Sequence, residues 1–430
     1  MNNEAKEELH KKAYDKAFTL FKTQFADATL AKDSNSLLDA AFCASQCQQY
    51  NQGILWAKQV IEAQPDNPRA NEILAWLYFR KTFASDKQSS REEMLETVEA
   101  LLRLNALGSA SPLATKAIML ACEHFMKMEQ PPFLTLVRWL KHARPILLDS
   151  KAFVKTLPDG NTLELASPRE KFHSLNTTVL FTGEYYEACI DACEAALAEN
   201  LVFHHENHIW ITRRKAYSLA VLKRFEEANP IYDELIKAKP VWFMFFEKAR
   251  IEQQLQHDED AIKLLAQAML APGPTFMKVH VIGTLIALLN KLGNNELSAK
   301  HTELHKAIYH EKKWHQPPTY LTIQQTQDET VAEPESVKEL ANQLRPFWKQ
   351  NLKPATKPLP GIIMRMNAGN LSGFIKTADG KSYYFALTDW MGKPKLPQPG
   401  MEVTFVLTQR FDKKKQAMNE VAIFVNPKPN

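Results

Sequence analysis

The sequence predicts a mainly α protein, a long α-solenoid followed by a small five-stranded β-barrel. Three observations predict it. From residue 5 to about 310, apolar residues recur at spacings of three and four, the period of helices that bury one face. Only seven of the 13 glycines fall in the first 360 residues, whereas six (361, 369, 373, 380, 392 and 400) fall in the last 70. Long helices exclude glycine for its backbone entropy, and the turns and bulges of small barrels need it. In those last residues the period also shortens to β-rich runs parted by NAGN and ADGK turns.

A chain of 430 residues exceeds one ordinary compact core, so several domains or a solenoid are expected. With 45% hydrophobic and 24% charged residues it has the composition of a folded, soluble protein. No run of about eighteen apolar residues is present, so no membrane span is expected. The start, MNNEAKEELHKK, is charged and lacks an apolar stretch, so no secretory signal is expected. Five dilute cysteines point to reduced thiols and a cytoplasmic location.

The helical segments are separated by breakers at QPDNP, FTGEY, KAKPV, APGP and KLGNN. Residues 209–240 contain Ala216 in a first helix, then Phe225, Ala228 and Tyr232 in a second, then Pro240. The pattern returns 33 residues later with Ala249, Ala261, Leu265 and Ala268 before Pro272. Ala41, Tyr50, Ala57 and Pro65 form another copy, and Leu74, Ala75 and Tyr78 begin the next. GEYYEACIDACEAAL resembles a second helix with Ala188 as its small residue. These units resemble the tetratricopeptide repeat (TPR), whose small residues let paired helices approach closely. Residues 80–170 fit it poorly; there PPFLTLVRWLKHARPILL reads as a helix and FVKTLPDGNTLEL as a hairpin.

The resemblance implies a groove lined by first helices that binds a protein or peptide partner. Projected onto this sequence, it places Trp210, Arg213, Tyr217, Phe246 and Arg250 on that face. Aromatic and Arg side chains are frequent interface anchors, although Trp210 and Phe246 equally suit packing between helices. The basic and Asn set that clamps a peptide carboxylate in some TPR proteins is not matched, because Leu38 and Phe42 take two of the polar places.

No nucleotide-binding or nucleophile-elbow motif is present. Cys43/Cys47 and Cys189/Cys193 are CxxxC pairs on helical faces, read as packing residues rather than zinc ligands, and Cys122 stands alone. His204 and His208 have metal-helix spacing, but Glu206 fits neither HExxH nor its inverted form. His301 and His305 are read the same way, and Asp258, Glu259 and Asp260 as a solvated turn. No metal, no cofactor and no catalytic residue is therefore expected: the chain is read as a non-enzyme.

The last 70 residues give five short strands, the signature of an OB-type barrel. Gly361-Ile-Ile-Met-Arg365-Met366-Asn367 stands where a first strand carries Gly-x-[VI]-x-Trp-Phe-Asn. Asn370-Leu371-Ser372-Gly373-Phe374-Ile375 stands for KGFGFI, and Tyr383-Tyr384-Phe385-Ala386-Leu387 for VFVHF. Gly400-Met-Glu-Val403-Thr-Phe405 and Gln416-Ala417-Met418-Asn419-Glu420-Val421 follow in order. Over residues 361–425 the chain resembles the cold-shock domain, which implies single-stranded nucleic-acid binding, RNA above all, by base stacking. Phe374 and Tyr384 keep the aromatic type, whereas Arg365, Met366, Ser372 and Leu387 replace aromatics and Ala386 replaces a binding His. Tyr383 and Phe385 alternate with Tyr384 and are expected to face the core.

Charge sharpens that expectation. Residues 361–430 hold ten Lys/Arg against five acids, leaving 43 against 44 in the first 360. Basicity confined to one segment suggests a polyanion site there. The expected contacts are Arg365, Phe374, Lys376, Lys381, Tyr384, Lys413, Lys414 and Lys415. The domains read as 1–310, the repeat scaffold; 311–358, a polar linker with a short helix in SVKELANQLRPFWKQNL; and 359–430, the barrel. Breakers in Lys353–Pro360 mark the last boundary. The expected function is an adaptor joining a protein partner to single-stranded RNA or DNA. The alternative is a pure protein scaffold, in a stress or defence complex, whose barrel binds no nucleic acid.

Overall fold

The computed structural model describes residues 2–26, 33–84, 89–106, 111–315, 335–351, 358–367, 369, 371–392, 396–412 and 417–428. The chain is mainly α, with seventeen α-helices among the described residues and a closed five-stranded barrel at its C-terminal end. It divides into two compact units, Met1–Ile231 and Tyr232–Asn430.

The first unit runs α1 (Asn2–His10), α2 (Tyr14–Ala26), α3 (Ser34–Gln46), α4 (Tyr50–Ala63), α5 (Pro68–Phe83), α6 (Arg91–Ala106), α7 (Leu113–Phe125) and α8 (Phe133–His142). A hairpin of β1 (Phe153–Thr156) and β2 (Thr162–Leu165) follows, then α9 (Pro168–Thr182), α10 (Tyr186–Ala198) and α11 (Asn207–Val221). The division between the units falls inside α12 (Phe225–Ala238).

Local chemistry fixes the helix starts. The Asp33, Asn67 and Ser167 side chains accept from backbone N–H groups three residues on, and Pro68 and Pro168 open their helices with φ already set. Small residues then set the spacing between helices. Ala41, Ala57, Ala216 and Ala228 have no exposed surface. Gly53 shows why: a Cβ there would stand 2.7 Å from Leu77 and 3.1 Å from the Ala41 carbonyl. Two clusters form this unit's interior, one around Phe21, Leu38, Trp56 and Leu77 and one around Val98, Ile118, Phe125 and Trp139.

In the second unit α13 (Trp242–Gln254), α14 (Asp258–Leu270), α15 (Val279–Lys291) and α16 (Asn295–Lys312) pack in succession. Lys278, buried at the end of a short 3-10 turn, donates to the Met269 and Ala271 carbonyls that end α14, and burial lowers its ammonium to about 8. The breaker-flanked segment near residue 340 is α17 (Val337–Gln350), opened by a Ser336/Glu339 capping box. Its stripe of Leu340, Leu344 and Trp348 is buried with α13–α16.

The barrel comprises β3 (Leu359–Met366), β4 (Ser372–Lys376), β5 (Ser382–Ala386), β6 (Glu402–Asp412) and β7 (Ala417–Pro427). They close in the order β3-β4-β5-β7-β6, with β5 and β7 parallel and every other pair antiparallel. Inward-facing Ile363, Ile375, Phe385, Trp390 and Phe405 fill it, together with Tyr383. The polar stretch TIQQTQDETVAEPES lies outside the described residues as far as Pro334.

Candidate functional site

Strand alternation places the site on the outer face of β3, β4 and β5. Tyr383 and Phe385 point into the barrel, so Tyr384 between them points out, half-buried. Phe374 is paired with Tyr384 on one side and with Arg365 on the other, so the three stand in one row. The Phe374 and Tyr384 rings meet edge to face, with centroids 5.8 Å apart and planes at 73°. The Arg365 guanidinium lies 4.9 Å from the Phe374 ring centroid. Phe374 is thus partly roofed by a cation, and the flat surfaces of the row belong to Arg365 and Tyr384. Guanidinium planes and aromatic faces both stack on unpaired bases, and the cation also attracts phosphate.

Lys376 is exposed on the same strand as Phe374, opposite Ile362 and Ser382. Lys381 is exposed at the β4–β5 turn, its ammonium 3.7 Å from Asp379. The Thr377 hydroxyl donates to Asp379 and holds that carboxyl below its ordinary range. Lys413, Lys414 and Lys415 lie outside the described residues. Sequence reasoning missed Ile362 and Met364, which are 48% and 50% exposed beside the row. Alternation around inward-facing Ile363 turns both outward, and a register shift between Ile363 and Arg365 brings Arg365 to the same side, of which alternation alone carries no signal.

The residues expected to face a helical groove fall in two sets. In the first unit Trp210, Arg213 and Tyr217 share one face of α11, all half-buried. Arg213 lies 6.0 Å from the Phe181 ring, which meets Tyr217 edge to face at 5.2 Å. In the second unit Phe246 packs against the α13–α17 core, and Arg250 is exposed on α13. A groove of about 490 Å³ stands elsewhere in the first unit, between α1, α3 and α5. Phe42 and Trp76 line it, 37% and 40% exposed. Arg80 lies 5.4 Å from the Trp76 ring and donates to Ser45, while Arg69 pairs with Asp39 at 2.5 Å. The sequence carries one signal of this groove in Phe42, an aromatic standing where a carboxylate clamp would have a polar residue.

The Cys and His clusters are packing and tethering groups. Cys43, Cys122, Cys189 and Cys193 are buried, and burial raises the Cys43 and Cys122 thiols to about 12. The Cys189 and Cys193 sulfurs lie 3.9 Å apart. His204 precedes α11 rather than lying on it, so it shares no helix face with His208. Its ring nitrogen and backbone N–H both bond the buried Glu170 carboxylate, at 2.7 and 2.6 Å, which raises its pKa. His301 and His305 are buried in α16 rather than exposed. Among the described residues no group of three or more His, Cys, Asp or Glu side chains is placed to hold a metal ion. No helix among them is long and apolar enough to cross a membrane.

No protein-family model matches the chain. No curated protein matches it either. Solved structures do. Human IFIT1, in a dimer with PPP-AAAA, is 12% identical, with 81% of this chain and 76% of that one covered and a TM-score of 0.34. BtubC (BKLC) from P. vanneervenii is 11% identical, with 71% of this chain and all of that one covered and a TM-score of 0.33. The TPR2AB domain of yeast Sti1, in complex with pHSP90, is 14% identical, with 71% and 95% covered and a TM-score of 0.28.

Proposed function

We propose that the chain is a non-enzymatic cytoplasmic adaptor that holds a protein partner on its helical repeats and single-stranded nucleic acid, RNA above all, on a cold-shock-like barrel. The observation that carries the reading is the outward row of Arg365, Phe374 and Tyr384, flanked by exposed Lys376. A planar cation beside two rings suits unpaired bases, and duplex hides its base faces. With two aromatics in the row, affinity rests heavily on Lys and Arg contacts to phosphate. Binding is therefore weak, tolerant of sequence and steeply dependent on salt.

A mobility-shift series with the intact protein on short single strands and duplexes tests this. A shift at low salt that favours single strands supports the reading. No shift at any salt sinks it and leaves the pure protein scaffold, a reading favoured by Leu371, which is largely exposed beside the row. On the helical side, the α1/α3/α5 groove, with Phe42 and Trp76 as apolar anchors and Arg80 as a cation, joins the α11 face of Arg213 and Tyr217 in the first unit and, separately, Arg250 on α13 in the second as places for a partner segment. Pull-downs with Arg80→Glu, with Arg213→Glu and with Arg250→Glu, each tested separately, show which place a partner uses. Unchanged recovery with all three folded variants would remove all three places.

A further inference from the structure

Beside the aromatic row the barrel surface opens into a groove of about 440 Å³, within the range of small-ligand sites. Its walls are Ile362 and Met364 of β3, Lys376 and Thr377 at the end of β4, and Glu402 and Lys428. In an unbroken strand, Ile363 in and Met364 out would turn Arg365 inward. The β3–β4 register instead steps from Ile363↔Ile375 directly to Arg365↔Phe374, leaving Met364 as an extra residue. The bulge therefore returns Arg365 to the outer face, and Met364 and Arg365 are both exposed. The wall of the groove and the end of the row are consecutive residues.

The chemistry of the walls is specific. Ile362 and Met364 offer apolar surface, and a thioether is polarisable enough to lie well against an aromatic ring. Lys376, in the groove lining, stands two residues along β4 from Phe374. Lys428 stands at the groove as well, pairing at 2.9 Å with Glu402, the acid in the lining. An apolar slot with a lysine on the side of the row and a second lysine in its wall, continuous with a stacking row, matches a flat base whose flanking phosphates are anionic.

We propose that this groove is a further nucleobase site, in which Ile362 and Met364 flank an unpaired base while Lys376 and Lys428 hold its phosphates. The proposal deepens the reading of the row as a single-strand interface and rests on it. A strand stacked on Tyr384 and Arg365 runs past Met364 into the groove, so the full site takes a longer strand than the row alone.

The test uses the full-length protein with the Ile362→Ser/Met364→Ser pair, which leaves net charge unchanged. Fluorescence anisotropy is read on labelled oligouridine and oligothymidine of about four and about eight nucleotides, within the site sizes of OB folds. The expected result is roughly tenfold weaker binding to the longer strand, unchanged binding to the shorter one, and an unchanged salt slope. Lys428→Gln is expected to lower the salt slope by about 0.7 on the longer strand alone, the value of one phosphate contact on single strands. Photocrosslinking of the unsubstituted protein with iodouracil strands is expected to mark residues 360–366 as well as the row, and it decides the matter if the serine pair fails to fold. Equal losses at both lengths, or crosslinks confined to Phe374 and Tyr384, would overturn the groove and leave the row standing. If the unsubstituted protein binds neither strand at low salt, the row and the groove fall together.

Discussion

Arg365 does two jobs through one side chain, roofing Phe374 and presenting a cation outward. Arg365→Ala therefore removes both a stacking plane and a phosphate contact, while Arg365→Lys keeps only the charge. Titrations with a single strand are expected to show that lysine restores the salt slope but not the affinity. Tyr384→Ala should weaken binding by about 1–3 kcal/mol at every salt concentration, the worth of one stacked base, with circular dichroism unchanged. His301 illustrates a different residue-scale effect. Its Nδ1–H donates to the Leu297 carbonyl, its Nε2 accepts from the Trp348 indole, and burial lowers it to about 4. Its folded pKa lies below the ordinary value near 6.5, so the unfolded chain binds the proton more readily between those limits. The neutral ring's contribution is complete above about pH 6.5 and is lost as pH falls toward 4. That loss is about 3 kcal/mol in the limit set by the shift. His305 is lowered to about 4 as well, by burial and by His280, and acts in the same window. Thermal melts between pH 7 and pH 4 should show the second unit weakening, and His301→Gln should flatten the trend.

Elements were legible wherever one local rule governed them. The helix period and the breakers between segments are both local chemistry. So is the alternation of Tyr383, Tyr384 and Phe385, which fixes what β5 buries. Close approach between elements is less local. Gly53 looks like a weak point in α4, since glycine costs a helix about 1 kcal/mol relative to alanine. Its neighbours leave no room for more, with the Ala41 carbonyl and the Ala44 Cβ both 3.1 Å from where a Cβ would stand. Gly53→Val should therefore lower stability by about 1–3 kcal/mol, because a branched side chain cannot yield where one flexible contact must. Gly53→Ala should cost less, its helix propensity offsetting part of the crowding at Leu77. Paired melting curves of the two variants check the order. The His204 motif failed for the opposite reason. Its four-residue spacing implied a shared helix face, but its tether to Glu170 across 34 residues holds it ahead of α11.

For the whole molecule, composition assigned basic charge to the last 70 residues, and the function proposed depends on how that charge is used. Residues 355–430 expressed alone are expected to fold and to bind single strands in preference to duplex. Changing Lys413, Lys414 and Lys415 together to Ala should flatten the salt dependence, by up to about 0.7 in slope for each phosphate that a lysine no longer neutralises. An unaltered slope would place those lysines away from the strand.

The sequence by itself determined the class of the fold, because helix period, strand alternation, glycine usage and breakers are properties of neighbours along the chain. It also carried the chemical types at the outer barrel face, since alternation gives every second residue to one side. Tertiary structure alone decided which of those types meet. The cation over Phe374 needs the β3–β4 register, and Met364 shares the outer face with Arg365 only because of a bulge. The indole donating to His301 comes from 47 residues away. Such contacts depend on packing between distant segments, where a shift of one residue turns a side chain to the other face.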